Sequence, residues 1–322
     1  MDRCSLECQT LPGRQTMLRL IASGNGEYGM KLRHLTGKMV PMLTIACVLG
    51  GAAFGQSVEL WRATGFNGPE SVAQDAATGV IYVANMGTDP MAKDGDGYIT
   101  VLGRDGTITT EKWLAGLDAP KGMDIVGGTL YTADIDTILE IDIASASVRN
   151  RYKVEGAVLL NDVIAAPDGR LFVSDTFANT IYVLDGGVVS LFLTDPMLMG
   201  INGLTMIDGA LIAANFGDFS EGFDKVKPSI VVKVDLATKA LSAFGAEGPV
   251  GIMDGIEPDG KGGVIITDYM AGKVLSLLPG ASATEIATLS LGAADLEVSL
   301  ADGMILVPIT PENTVVALSL SK

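Results

Sequence analysis

Thiol and imidazole side chains are almost missing from this sequence, and the few present lie within its first 47 residues. The cysteines are Cys4, Cys8 and Cys47, and the single histidine is His34. From residue 48 onward the chain therefore has no thiol for a disulfide and no nitrogen or sulfur ligand of the kind used in zinc sites. A zinc-type site is excluded there, and stability has to come from core packing and closure of the fold, with metal binding as a further contribution.

Basic residues are also scarce, with 22 Lys and Arg against 38 Asp and Glu and a formal net charge of −16. The sequence has no basic stripe, so a nucleic-acid partner is not expected. It has no helical heptads and no Rossmann or phosphate-loop signature, and its glycine-rich pieces fit hairpin turns instead. What is abundant is hydrophobic residues, at 48%, and glycine, at 40 residues. This composition is typical of a globular all-β protein with short strands and many turns.

The first 55 residues differ from the rest of the chain. Residues 30–38 are basic, residues 39–51 form a short apolar run, and Ala53-Phe54-Gly55 is a small-x-small pattern. This order predicts a signal peptide over residues 30–55, cleaved after Gly55, because the apolar run is too short for a membrane span of about 20 residues. The mature protein is then periplasmic or secreted, without a transmembrane span. Residues 1–29 are interpreted as an upstream extension from a misplaced start codon or, alternatively, as a disordered tail.

A repeat runs through the remainder of the chain. Six apolar strands each begin just after a small-residue anchor, and the anchors stand at 70, 121, 161, 202, 254 and 294. Their spacing fits a base period of about 40 residues with two insertions of about ten. The third unit contains four short strands, which begin near Asn161, Arg170, Thr180 and Val188 and are separated by turns. Four short strands per unit are the content of one propeller blade.

The repeat predicts one all-β domain over residues 57–322, a six-bladed β-propeller with four-stranded blades. The sixth unit has only three strands, whereas residues 57–63 form an extra strand before the first anchor. That strand is predicted to complete the last blade and close the ring, which removes an open sheet edge. Insertions at residues 86–98 and 216–228 follow the second strands of the first and fourth units. Both are predicted to rim the end of the channel that holds the anchors.

Four of the anchors carry an oxygen ligand: Glu70, Asn161, Asn202 and Asp254. A circular array brings equivalent positions toward one axis, and carboxylate and amide oxygens are the ligands that calcium takes. We therefore predict a hard-cation site made of oxygen ligands, with Ca²⁺ as the expected metal. The alternative is that each side chain only caps the entry of its strand or lines a wet channel.

The two remaining anchor regions carry charged residues of opposite sign. Lys121 is predicted to project into the same channel, where it binds a substrate carboxylate or phosphate or, alternatively, repels or replaces a second cation. Asp295, one residue past the last anchor, is expected to face a neighbouring blade.

The ordered series Glu70, Asn161-Asp162, Asn202-Gly203-Leu204 and Asp254-Gly255 resembles the regucalcin/gluconolactonase (luciferin-regenerating-enzyme) family of six-bladed propellers. The repeat texture, as in residues 167–175, also resembles NHL-repeat propellers. The first resemblance implies that Glu70, Asn202 and Asp254 ligate a divalent metal. It also implies that Asn161 binds the metal through water or contacts substrate, and that Asp254 is the catalytic base.

The activity implied by this resemblance is metal-dependent hydrolysis of a small-molecule lactone or ester. The metal would polarise the carbonyl and acidify a water, while the carboxylate manages the proton. Two departures from the family pattern argue against an aldonolactone: Leu159 stands where lactonases often have Arg, and the first motif is Pro69-Glu70-Ser71 rather than Glu-Gly-Pro. The alternative is a non-enzymatic, NHL-like propeller that binds a ligand or an envelope protein partner, with at most a structural metal.

Overall fold

The computed structural model describes residues 56–320 together with the strands at 5–11, 15–21 and 28–29. The chain divides into two compact units, residues 1–52 and 53–322. In the first unit, β1 (Ser5–Leu11), β2 (Gln15–Ile21) and β3 (Tyr28–Gly29) form an antiparallel sheet. The predicted signal peptide at 30–55 lies outside the described residues and stays a prediction, as does the interpretation of residues 1–29.

The second unit consists of six four-stranded antiparallel sheets, the blades, so the predicted all-β propeller is confirmed. Blades 1 to 3 contain β5 (Pro69–Gln74), β6 (Ile81–Asn85), β7 (Gly97–Leu102) and β8 (Ile108–Leu117); β9 (Pro120–Val126), β10 (Thr129–Asp134), β11 (Thr137–Asp142) and β12 (Ser147–Lys153); and β13 (Leu160–Ala165), β14 (Leu171–Asp175), β15 (Thr180–Asp185) and β16 (Val188–Thr194). Blades 4 and 5 contain β17 (Ile201–Ile207), β18 (Ala210–Asn215), β19 (Val231–Val234) and β20 (Leu241–Ala243); and β21 (Met253–Pro258), β22 (Val264–Asp268), β23 (Lys273–Leu277) and β24 (Thr284–Thr288).

Blade 6 joins the two ends of the propeller. It contains β25 (Glu297–Ser299), β26 (Met304–Ile309), β27 (Thr314–Ser319) and, as its outer strand, β4 (Glu59–Thr64). β4 pairs antiparallel with β27, with Thr64 opposite Thr314 and Arg62 opposite Val316. The predicted closure of the ring by the strand before the first anchor is thus confirmed. That strand, β4, spans residues 59–64 instead of the predicted 57–63.

The first strands of neighbouring blades, β5, β9, β13, β17, β21 and β25, contact one another in a closed circle around the central channel. Glycine makes this close approach possible at three anchor motifs. A Cβ on Gly122 would lie 2.2 Å from Asp162 Oδ1, one on Gly203 2.5 Å from the Asp254 carbonyl oxygen, and one on Gly255 2.4 Å from the Leu296 nitrogen. The Gly that follows Lys121, Asn202 and Asp254 is therefore a packing requirement of the ring.

The hydrophobic core lies in the spaces between adjacent blades. Between blades 3 and 4, Phe172 and Phe192 pack edge to face at 5.0 Å and contact a cluster that includes Leu204 and Leu211. Equivalent clusters lie between blades 5 and 6 and between blades 6 and 1. Over the residues that the structure describes, helical structure is limited to the 3-10 turns Pro196–Leu198, Phe223–Lys225 and Thr310–Glu312, and no helix is long and apolar enough to span a membrane.

Candidate functional site

The predicted site residues occupy one equivalent position of the propeller. Glu70, Lys121, Asn161, Asn202 and Asp254 are each the second residue of the first strand of their blade, and each is buried. At each of these positions the pairing with the second strand shifts register. Such a β-bulge leaves a residue out of the ladder and redirects its side chain. We call these five residues, which occupy five of the six anchor positions, the anchor residues.

Hydroxyl groups on the second strands fix two of the bulges and join the blades. Ser174 accepts a hydrogen bond from the Asp162 nitrogen at 2.9 Å and donates to the Asn202 carbonyl at 2.7 Å. Thr267 does the same in blade 5, accepting from the Gly255 nitrogen and donating to the Ala294 carbonyl, both at 2.9 Å. Each hydroxyl therefore joins the first strand of its own blade to the anchor position of the next blade.

Three anchor residues present oxygens that have no partner. Glu70 Oε2, Asn161 Oδ1 and Asp254 Oδ1 are buried and make no hydrogen bond within the described part of the chain. The Asn161 amide is oriented by its Nδ2, which donates to Thr176 Oγ1 at 3.0 Å and leaves the oxygen free. A buried oxygen without a hydrogen-bond partner destabilises the folded state by about 1–3 kcal/mol, and by more when it is charged. A bound cation would offset this loss of stability.

The charges of the anchor residues act on one another. Burial, followed by the negative charge of Asp254, raises the pKa of Glu70 well above its usual range. Burial and the charge of Asp295 do the same to the pKa of Asp254. The pKa of Tyr269 is raised to about 12 by burial and then by the charges of Asp254 and Glu70. A divalent cation would relieve this arrangement, in which the ionised forms of two buried acids are each disfavoured by burial and by a neighbouring carboxylate.

Lys121 is the one basic anchor residue. Its Nζ donates to the Pro90 carbonyl at 2.9 Å and to the Ala119 carbonyl at 3.0 Å. Burial lowers its pKa, and the charges of Glu70 and Asp134 oppose that effect. The contact with Pro90 brings the first insertion, now the loop 86–96 between β6 and β7, to the end of the channel that holds the anchors.

The second insertion, residues 216–230 between β18 and β19, reaches the same end of the channel. Phe216 is the first residue of this insertion, and its ring centroid lies 5.6 Å from that of Tyr269. The Tyr269 nitrogen in turn donates to the Ile252 carbonyl at 2.9 Å, two residues before the anchor residue Asp254. Both insertions thus lie at the mouth next to the anchor residues, as the repeat predicted.

The sequence analysis named Asp162 and Asp295 but missed that they belong to a second group of acids, which we call the acid cluster. These residues line a cavity of about 50 Å³ and are Asp124, Asp162, Glu257, Asp295 and Glu297. Burial is the main cause that raises the pKa of every one of them, to about 7 for Asp295 and for Glu297.

Hydrogen bonds hold much of the acid cluster in place. Asp162 accepts from the Val163 nitrogen at 2.7 Å and from the Leu204 nitrogen at 2.6 Å. Glu297 accepts from the Gln74 nitrogen at 3.2 Å. Asp295 accepts from the Ser71 hydroxyl at 2.8 Å, which confirms the expectation that it faces a neighbouring blade. These three acids therefore join neighbouring blades through hydrogen bonds.

Carboxylates alone do not form a metal site in the part of the chain that the structure describes. Over residues 56–320, no group of three or more Asp, Glu, His or Cys side chains is arranged to hold a metal ion. A cation at the mouth would need the mixed set predicted from the sequence, in which Glu70 and Asp254 are joined by the amides of Asn161 and Asn202. The donor chemistry of that set fits calcium, which accepts carboxylate, amide and water oxygens.

No protein-family model and no curated protein sequence matches the chain. Solved structures do. A gluconolactonase from Xanthomonas campestris is similar at a TM-score of 0.61 and 15% identity, covering 82% of this chain and 89% of that one. A luciferin-regenerating enzyme is similar at 0.58 and 13%, covering 80% and 92%. A virginiamycin B lyase from Staphylococcus aureus, solved with quinupristin, is similar at 0.56 and 15%, covering 82% and 98%. These likenesses show a shared six-bladed fold, and the predicted resemblance is confirmed at that level.

Proposed function

We propose that the protein is a calcium-dependent hydrolase of a lactone or ester. The observation that carries this proposal is the set of unpartnered buried oxygens on Glu70, Asn161 and Asp254, at one equivalent position of three blades. The fold shared with gluconolactonase structures supports the reaction class. In this proposal Glu70, Asn202 and Asp254 hold the ion, and Asn161 binds it directly or through water.

When bound, the ion supplies a positive charge that polarises the substrate carbonyl and acidifies a water. Asp254 takes a proton from the attacking water as the water oxygen bonds to the acyl carbon. It returns that proton to the alcohol oxygen as the acyl carbon–oxygen bond breaks, so the products are a carboxylic acid and an alcohol, joined in one molecule for a lactone. Lys121 has two of its three protons committed to carbonyls, and the third is available for a polar or anionic substrate group.

The proposal is tested by hydrolysis of a panel of lactones and aryl esters, with calcium, zinc, manganese or chelator added to the full chain. We expect hydrolysis that requires calcium and that falls at least 100-fold in Asp254→Asn. Hydrolysis that chelator does not affect, or an Asp254→Asn variant as active as the wild type, would overturn the proposal. A rise in melting temperature with calcium but no hydrolysis of any substrate would instead indicate a structural cation.

The proposed place of action is outside the cytoplasm. It rests on the basic, apolar and small-residue order of residues 30–55. N-terminal sequencing of the protein recovered from the periplasm or medium is expected to begin at Gln56. Recovery of the full-length chain from the cytoplasm alone would contradict it.

A further inference from the structure

An aromatic patch lies at the mouth on the side of blades 3 to 5. We call it the aromatic cap, and it consists of Phe177, Phe216, Phe219, Phe223 and Tyr269. Phe216 is central: its ring centroid lies 5.1 Å from Phe219, 5.5 Å from Phe223 and 5.6 Å from Tyr269. Phe177 packs edge to face on Phe219 at 5.1 Å. Phe216 is buried, but 44% of Phe177 and 52% of Phe223 is exposed.

The aromatic cap is continuous with the anchor residues. Phe177 directly follows Thr176, which orients the amide of Asn161. The Phe216 nitrogen donates to the Gly200 carbonyl at 2.7 Å, two residues before Asn202. The Tyr269 nitrogen donates to the Ile252 carbonyl at 2.9 Å, two residues before Asp254. Apolar surface therefore borders the proposed cation site on the side of three of its four ligands.

The opposite side of the mouth is charged. Lys121 lies there beneath the first insertion, held by the Pro90 carbonyl. Lys93 of that insertion and Lys153 both pair with Asp136, in the loop between β10 and β11. The mouth thus has an apolar side at blades 3 to 5 and a polar side at blades 1 and 2.

We propose that the aromatic cap binds an aryl group of the substrate, so that the substrate class is aryl-bearing esters or lactones. This inference rests on the proposed hydrolase function, and it names the substrate class of that same site. With the acyl group at the anchor oxygens, an aryl group attached to it meets Phe177 and Phe223. Aromatic rings stack offset or edge to face on such surfaces. A polyhydroxylated sugar lactone would leave its hydroxyls against phenyl rings without hydrogen-bond partners, which disfavours it.

Burial favours a small molecule over a protein partner as the occupant. The rings of Phe216, Phe219 and Tyr269 pack together within the cap. Phe177 and Phe223 are the two rings of the cap with a large exposed surface. The polar groups next to them, on Asn161 and Asp254, are only 5–6% exposed. A flat protein surface covers the two exposed rings but does not reach these oxygens, whereas a small ligand with an aryl group and an oxygen function contacts both.

The test measures binding instead of turnover, so that it stands apart from the hydrolase assay. The calcium-loaded full chain is titrated with 4-phenylbutyrate, butyrate and gluconate by calorimetry. The first two probes share a carboxylate and differ in the aryl ring, and the third is a sugar acid. The variants are the double substitution Phe177→Ser with Phe223→Ser, and the control Leu191→Ser, which removes an exposed apolar side chain from the outer strand of blade 3.

We expect 4-phenylbutyrate to bind at least tenfold more tightly than butyrate or gluconate. The double variant is expected to lose this preference and to keep its butyrate affinity, while Leu191→Ser keeps the preference. Equal binding of the three probes, or a preference that survives the double substitution, would overturn the inference, as would a cap that captures a protein without any aryl preference. An aryl preference without hydrolysis would refute the hydrolase and leave the aryl-binding cap in place.

Discussion

The anchor residues and the acid cluster lie along the same inner strands, yet they differ in how their oxygens are used. At the mouth, Glu70 and Asp254 each keep a buried oxygen without a partner. In the acid cluster, Asp162 and Glu297 accept hydrogen bonds from backbone nitrogens of a neighbouring blade. The acid cluster has more carboxylates, but much of its hydrogen-bonding capacity joins blade to blade. The proposed cation site is therefore assigned to the anchor residues, whose oxygens are left unpartnered, and not to the acid cluster.

The strongest test of this difference compares Glu70→Gln with Glu297→Gln in a calcium titration of thermal unfolding. Calcium at about 1,000 times its Kd stabilises a protein by about 4 kcal/mol, which is about 8–16 °C at 2–4 °C per kcal/mol for a domain of this size. We expect Glu297→Gln to keep most of this shift and Glu70→Gln to lose it. Equal loss in both variants would remove the distinction between the two groups.

The acid cluster is expected to make the calcium-free protein less stable as pH rises. Burial raises the pKa of Glu297 to about 7, so between about pH 4.5 and 7 the folded state retains a proton that the unfolded chain releases. The free energy of unfolding then falls over this window, by up to about 3 kcal/mol for this group at 1.36 kcal/mol per pKa unit.

The measurement is urea unfolding of the calcium-free protein from pH 4.5 to 8, for the wild type and Glu297→Gln. The variant is expected to have a flatter profile, because Gln does not titrate. Glu155→Gln, at an exposed position, serves as the control and is expected to follow the wild type. A wild-type protein that gains stability between pH 5 and 7 would contradict the role given to the cluster.

Two glycines test whether ring packing supports the mouth and the cluster separately. A Cβ on Gly203 would meet the backbone of Asp254, and one on Gly122 would meet Asp162. Overpacking of this kind costs about 1–3 kcal/mol, so both Ala variants are expected to be destabilised. Calorimetry is expected to show weaker calcium binding in Gly203→Ala and nearly unchanged binding in Gly122→Ala. The reverse order would place the cation at the acid cluster.

The smallest expected effect belongs to Lys121→Met. The charge of Lys121 lowers the pKa of Glu70, so it is expected to oppose a cation bound by that carboxylate. Its removal is expected to raise calcium affinity about fivefold, or roughly 1 kcal/mol, the size of one unit-charge interaction screened by water. Weaker calcium binding in this variant would indicate that Lys121 supports the anchors instead of repelling the ion.

The propeller was predictable because its signals are local and repeated. The period near 40 residues and the extra strand before Glu70 gave the six blades and their closure. The acid cluster was harder to foresee, because a strict two-residue alternation would put Asn161 and Asp162 on opposite faces. The bulge at these two residues breaks the alternation, and bulges leave no clear mark in a single sequence. Asp124 and Glu257, each three residues after an anchor within an apolar strand, were the available signal.

The aromatic cap was hidden for a different reason. Phe177, Phe216 and Tyr269 come from three blades, each just after a second strand, and nothing in the local sequence relates their rings. The insertion at 216–228 was recognised by its length, but its two further phenylalanines gave no sign of what they pack against. Contacts between loops of different blades depend on the completed ring, so they follow from the fold and not from any one repeat.

Closure of the ring by β4 also sets an order of events in time. β4 is among the first strands of the propeller to leave the ribosome, but its partner β27 is made about 250 residues later. At about 5–20 residues per second, β4 waits on the order of tens of seconds before it can pair. During that interval β4 has no partner strand, so its backbone groups are open to other chains. A chaperone that shields residues 59–64 in the nascent chain would therefore protect the protein at the stage when it is most prone to aggregate.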